Sequence, residues 1–234
     1  MRYPNASQGM GKLYVAAILD LITSLCGAAA AIMAVMVASA AASATTEALT
    51  KGTISDSHFA VAGVGGIGTL IFGLGALVIG IIALVMQIKG VNLAKLDETE
   101  TTNFQTAFYI IVVALICSVL AGVLKVAAPT FGNILTAVAE ICPAVIAIFV
   151  LQGIEALAQK IGETELAQKA KSIIMIIVAI YIISAVLSII TNFAASSIGL
   201  ALGVILTIAS VVLSIIETVL YITILKRARD TFAQ

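Results

Sequence analysis

Long apolar runs separated by short polar punctuation occupy the chain from about residue 12 to residue 225. A hydrocarbon layer about 30 Å thick requires roughly 20 apolar residues per crossing helix. Six segments reach that length and predict six spanning helices, at 12–41, 60–88, 104–128, 131–157, 169–193 and 197–225. Two of the breaks are tight. Pro129-Thr130-Phe131-Gly132-Asn133 and the stretch Thr191 to Ser197 are too short to hold a domain, so each predicts an antiparallel hairpin. A longer outer loop is expected around 42–59. Thr102-Asn103-Phe104-Gln105 predicts a capping box opening the third helix, with Thr102 as the cap and Gln105 reaching back.

Composition agrees with the pattern. Hydrophobic residues make up 62% of the 234 residues and charged residues only 10%, against about 25% charged in a soluble domain. So little polar surface would leave a folded chain badly covered in water, and lipid is the solvent that fits. The expected fold class is therefore an all-α membrane protein, one transmembrane domain over residues 1–234 built as a six-helix bundle. Residues 13–37 exceed the roughly 7–15 apolar residues of a signal-peptide core and contain Asp20, so Ala38-Ser39-Ala40 is not expected to be a cleavage site.

Charge then predicts direction. Arg2, Lys12, Lys89, Lys95, Lys160, Lys169, Lys171, Lys226, Arg227 and Arg229 would share one side, leaving only Lys51 and Lys125 on the other. Basic residues near helix ends accumulate on the cytoplasmic side, so both termini are expected there. The sequon Asn5-Ala6-Ser7 is then irrelevant, and His58, the only histidine, falls in the outer loop. A formal net charge of zero gives no pull toward nucleic acid.

Shifting the chain by 65 residues aligns Val85 with Val150, Gln87 with Gln152, Lys95 with Lys160, Glu98 with Glu163, Thr99 with Thr164 and Glu100 with Glu165. It also aligns Ile111 with Ile176, Val113 with Val178 and Ala114 with Ala179. A weaker match sets Tyr14, Leu25 and Gly27 on Tyr109, Leu120 and Gly122. Three copies of a helical hairpin account for both. A unit with an even number of spans returns to its starting side, so the copies are expected to be parallel in orientation, not inverted.

Small and polar residues form stripes at helical spacing. The second helix carries Thr69, Gly73, Ala76, Gly80, Ala83 and Gln87, and the third Ala114, Ser118, Ala121 and Lys125. The fifth carries Tyr181, Ser184, Ser188 and Thr191, and the sixth Gly203, Thr207, Ser210, Ser214, Glu217 and Tyr221. Membrane helices associate through close packing of small residues, so Gly73, Ala76, Gly80, Gly203, Ser210 and Ser214 are expected to be packing seams. The alternative is a polar pathway lined by the same residues. Cys26, Cys117 and Cys142 lie in apolar runs without metal-binding spacing and are expected to act as small packing residues.

Ionisable groups at bilayer depth are costly and usually retained for a reason. Asp20 and Glu217 stand at similar distances from the basic ends of the first and last helices. If those helices close the bundle, the pair becomes a candidate proton or cation site, with Glu140 as a further candidate. The rival is that each carboxyl is protonated or hydrogen-bonded separately. Lys125 and Glu140 flank the 129–133 turn and are expected to form an ion pair. Pro143 predicts a local kink.

Neither a nucleotide-binding loop nor a hydrolase motif is present, and no metal, cofactor or catalytic residue is assigned. The leading expectation is a non-enzymatic structural or interaction subunit of a membrane assembly. Its partners would be the lipid bilayer and either a homo-oligomer or other membrane subunits, with the bacterial cytoplasmic (inner) membrane as its location. The alternative is a small transporter or channel moving a proton, cation or small solute. Labelling of a tag on the C-terminal tail in sealed cells checks the orientation: the tag is expected to stay unlabelled from outside, and external labelling reverses the assignment.

Overall fold

The computed structural model describes residues 3–51, 56–98, 100–194 and 200–234, with side chains chiefly over 3–34, 66–98, 100–184 and 212–234. Among the described residues the chain is helix and connecting turn, with no strand. In order come α1 (Pro4–Lys51), α2 (Asp56–Ala94), a 3-10 turn (Lys95–Asp97), α3 (Asn103–Ala127), α4 (Pro129–Lys160), α5 (Thr164–Ala194) and α6 (Leu200–Ala233). Five helices, α1 to α5, contain described stretches long and apolar enough to cross a membrane. This is the architecture of a multi-pass membrane protein. The sixth expected span, 197–225, and the expected turn at Thr191 to Ser197 lie partly outside the described residues.

Apart from α3, the helices run beyond their predicted apolar segments. The expected outer loop at 42–59 is mostly helix: α1 continues to Lys51 and α2 begins at Asp56. Alanines through 40–48 favour that extension. At 48 residues α1 is about 72 Å long, well beyond a hydrocarbon layer of about 30 Å. His58 falls in α2, with its side chain outside the described residues. The expected turn at 129–133 is also corrected. Pro129 opens α4, where its missing N–H costs nothing, and Ala128 alone separates α3 from α4.

By contacts the chain divides into two compact units, Met1–Ala17 with Met86–Gln234, and Ile18–Val85. Within the second unit α1 and α2 run side by side, with Gly68 against the Met33 side chain and Gly80 facing the Thr23 methyl. Within the first, α3 packs on α4, α4 on α5 and α5 on α6. The α4–α5 connection is a Schellman motif. Gly162 takes a left-handed φ of 79°, its N–H donates to the Gln159 carbonyl, and the Glu163 N–H donates to that of Ala158.

Burial in the first unit is concentrated where both chain ends and the interhelical connections meet. Ala6, Met10, Leu13, Val91, Ala94, Phe104, Ile154, Leu157, Leu166, Leu225, Ala228 and Phe232 are all buried there. We call this region the inner end. Farther along α3 and α4, Val119, Val123, Val126, Phe131 and Ile134 are exposed, Val126 by 90%. Exposure of a large apolar side chain to water forfeits about 1.5–3 kcal/mol of burial. In lipid that penalty vanishes, and these faces need no protein cover.

Glycines set the closest helix approaches. A Cβ at Gly9 would lie 2.5 Å from the Gly90 carbonyl oxygen, and one at Gly90 would lie 2.8 Å from the Leu13 side chain. At Gly153 the Phe104 ring would be 2.5 Å away, and at Gly132 the Lys125 backbone 2.7 Å away. Gly73, by contrast, has nothing within 4 Å. Gly90→Leu is therefore expected to destabilise the chain by about 1–3 kcal/mol or more through overpacking, while Gly73→Leu leaves stability unchanged. Thermal denaturation in detergent checks both; equal losses would show that the glycine contacts do not govern packing.

Candidate functional site

The acidic connection before α3 is where polar side chains act most densely, and each acid has a defined task. The Asp97 carboxylate takes a hydrogen bond from Asn5 Nδ2 at 2.8 Å and another from the Ala6 N–H at 2.7 Å. It thereby captures the first turn of α1, where free N–H groups and the positive end of the helix dipole favour an anion. The neighbouring Glu98 carboxylate does the same for α3, accepting from Phe104 N–H at 3.1 Å, Gln105 N–H at 3.3 Å and Thr101 Oγ1 at 2.8 Å. Two adjacent acids thus hold the beginnings of two helices.

The expected capping box is corrected by this arrangement. Thr102 stands at the cap position but makes no side-chain cap bond, and its φ of −118° and ψ of 22° lie outside the usual cap geometry. Gln105 reaches forward to the Tyr109 hydroxyl at 3.2 Å, not back. A carboxylate carries full charge to the helix N-terminus and outcompetes the neutral threonine hydroxyl.

The remaining inner acids close hairpins. Glu100, before α3, pairs with Lys160 at the end of α4 at 3.3 Å. Glu165, in the first turn of α5, pairs with Arg227 near the end of α6 at 2.8 Å and with Lys169 at 3.1 Å. Together with the Asn5–Asp97 bond, each of the three hairpins is tied where its first helix begins and its second helix ends. The C-terminal turn joins the same layer. Ser7 Oγ donates to the Arg229 carbonyl at 3.0 Å, the Arg229 guanidinium lies 5.7 Å from the Tyr14 ring centre, and the Tyr3 and Phe232 rings meet edge to face.

Glu165 stands ahead of the apolar run of α5. Hydrogen bonds from Lys169 and then Arg227 hold its carboxylate below the usual glutamate range. Because the folded value is the lower one, this tie contributes fully above the ordinary glutamate pKa and fades as pH falls through the depressed value. Both partners are well exposed, so its share of stability is small.

The expected Asp20–Glu217 pair is divided between the two units. Asp20 is exposed on α1 and belongs to the Ile18–Val85 unit, whereas Glu217, half-buried on α6, belongs to the other. The charge of Glu217 is felt at Tyr181 of α5. The Glu165–Arg227 tie sets the register of these two. From it Tyr181 lies about 24 Å along α5 and Glu217 about 15 Å along α6, and side chains that lean toward their own helix N-termini close the difference. Glu140 is exposed on α4.

The Lys125–Glu140 pairing rested on a five-residue turn, and the one-residue turn changes its register. Gly132 now lies against Lys125, which leaves Glu140 eight residues, about 12 Å, deeper along α4. Among the described residues no ion pair joins the two. Lys125 is exposed, two residues before the end of its helix.

Of the expected seam residues, Gly80 makes an ordinary contact with Thr23, Ala76 is half-buried and Gly73 opens onto space. Ser214 is exposed, and its carbonyl accepts the Thr218 hydroxyl at 2.8 Å. The side chains of Ser210 and Gly203's surroundings lie outside the described residues. The tight approaches at Gly9, Gly90, Gly132 and Gly153 lie outside the expected small-residue stripes. Gly153 sits on the same heptad face as Val150 and Leu157, and that spacing was the available signal.

Among the described residues no three His, Cys, Asp or Glu side chains gather as a metal site would require. Compared with protein-family models, curated proteins and solved structures, the chain matches none. Glu98→Ala is expected to cost about 1 kcal/mol, the usual worth of a helix cap, and to speed hydrogen exchange at the Phe104 and Gln105 amides. Unchanged exchange there would remove Glu98 from the cap.

Proposed function

We propose that this chain is a non-enzymatic structural or interaction subunit of an assembly in the bacterial cytoplasmic membrane. In this reading it crosses six times as three parallel hairpins with both termini in the cytoplasm. The observation that carries the proposal is the use of the inner acids. Asp97, Glu98, Glu100 and Glu165 are each committed to ties within the chain, a use that fits a structural role. The recurrence of one hairpin closure three times supports the repeat. The outward apolar faces are suited to lipid and to neighbouring membrane helices, and nothing in the charge pattern favours nucleic acid.

Gly73 gives this reading its cleanest probe. It lies on an exposed face of α2, where a Cβ would meet nothing within 4 Å among the described residues, so a bulky side chain there is expected to leave the chain itself intact. Close packing of helices from other chains would still feel it. Under the subunit reading, Gly73→Leu keeps wild-type thermal stability yet lowers recovery of the intact assembly, or of a homo-oligomer, by tenfold or more in crosslinked membranes. Unchanged recovery removes that face from the interface.

A second reading is favoured by one observation, the Tyr181–Glu217 pair at membrane depth. A carboxyl beside a phenol between two helices could hold a proton or a cation, and Asp20 and Glu140 would supply further acids along a pathway for a small solute. Asp20→Asn with Glu217→Gln separates the two. The subunit reading expects cellular function to be intact in the double variant. The transport reading expects loss of function together with loss of pH- or cation-driven flux in liposomes.

A further inference from the structure

Two cysteines far apart in sequence are brought to one place by the α3–α4 register. Lys125 stands opposite Gly132 and Phe104 opposite Gly153, so equal steps along the two antiparallel helices run from one contact to the other. The step of eight residues from Lys125 to Cys117 matches that from Gly132 to Glu140. Cys142 is two residues, about 3 Å, farther toward the inner end. Cβ atoms lean toward the N-terminus of their own helix. The Cys117 side chain therefore leans inward and that of Cys142 outward, which brings the two sulfurs to one level.

Both thiols face the helix interface. Cys142 is buried and Cys117 half-buried, on the same side of α3 as buried Ala121. The two are close enough to interact electrostatically. Small neighbours, Ala114 and Ala121 on α3 and Ala139 on α4, keep the backbones near each other. Cys26 lies in the other compact unit.

We propose that Cys117 and Cys142 form a dithiol site within the membrane, closed to a disulfide by a lipid-soluble quinone. Two S–H bonds break and one S–S bond forms. Both electrons and both protons pass to the two quinone oxygens, giving the quinol. The depth of the pair selects this class of oxidant. Cys117 lies about 12 Å along α3 from Lys125 and about 20 Å from Phe104, which places it inside the hydrocarbon, beyond water-soluble disulfides and open to a quinone dissolved there. Closure would join the middles of α3 and α4, where glycine contacts at Gly132 and Gly153 already hold the two ends.

The test uses the full chain in liposomes containing a tetrasubstituted benzoquinone with a short alkyl tail, a substitution pattern that blocks addition of thiols to the ring. Free thiols are then alkylated in denaturant and the intact mass is measured. Untreated chain should take three alkyl groups, and quinone-treated chain one, with loss of two hydrogens and no dimer. Cys117→Ser and Cys142→Ser should each abolish the change, and Cys26→Ser should leave it in place.

Phenylarsine oxide in detergent tests proximity without redox chemistry, since its arsenic bridges two thiols with release of water. One bridging group per chain, removed by a dithiol and not by a monothiol, is expected in wild type and absent from Cys117→Ser and Cys142→Ser. Three alkyl groups after quinone treatment would overturn the closure even if the arsenical binds. Absence of both reactions would overturn the pairing itself.

Discussion

A helix in hydrocarbon must satisfy its own backbone, because no water is there to take up a stray N–H or C=O. The first N–H groups and the last C=O groups of every helix are the points where that requirement cannot be met from within. In this chain the starts of α1, α3 and α5 and the ends of α2, α4 and α6 emerge at the inner end, and two adjacent acids are spent there. Asp97 holds the start of α1 and Glu98 the start of α3. The turn from α4 to α5 meets the same demand with backbone alone, through left-handed Gly162.

Packing follows the same division. The inner end encloses a conventional apolar core of Phe104, Ile154, Leu225 and Phe232, where polar loops and apolar side chains meet water and hydrophobic burial has its usual force. Deeper along the helices that force disappears, since lipid is as apolar as leucine. Small side chains such as Ala121 and Ala144 are buried there, and large side chains such as Val126 and Phe131 face outward.

Under the proposed hairpin repeat the ties occupy equivalent places. Glu100 and Glu165, equivalent under the 65-residue shift, each take a base from the end of the next even-numbered helix, Lys160 and Arg227. The first hairpin reaches the same closure with charges exchanged, its acid Asp97 at the end of the hairpin and its donors Asn5 and Ala6 at the start. The place of Gly162 in the second copy is held by Asp97 in the first. One substitution thus turns a helix-stopping glycine into the acid that anchors α1.

Length, apolarity and the placement of glycine and proline were enough to determine the helical membrane class and the existence of each helix. These are properties of one segment at a time. Helix ends were misjudged at 42–59 and 129–133, because a polar or proline-containing stretch continues as helix once it leaves the hydrocarbon or opens a first turn. The tertiary structure alone decided which residues stand opposite one another. Periodicity fixes the angle at which a side chain leaves its helix and says nothing of depth. Depth came from single contacts, Gly132 on Lys125 and Gly153 on Phe104, which fix the register of α3 on α4. Likewise, the task of Asp97 and Glu98 is decided by the helix starts placed next to them.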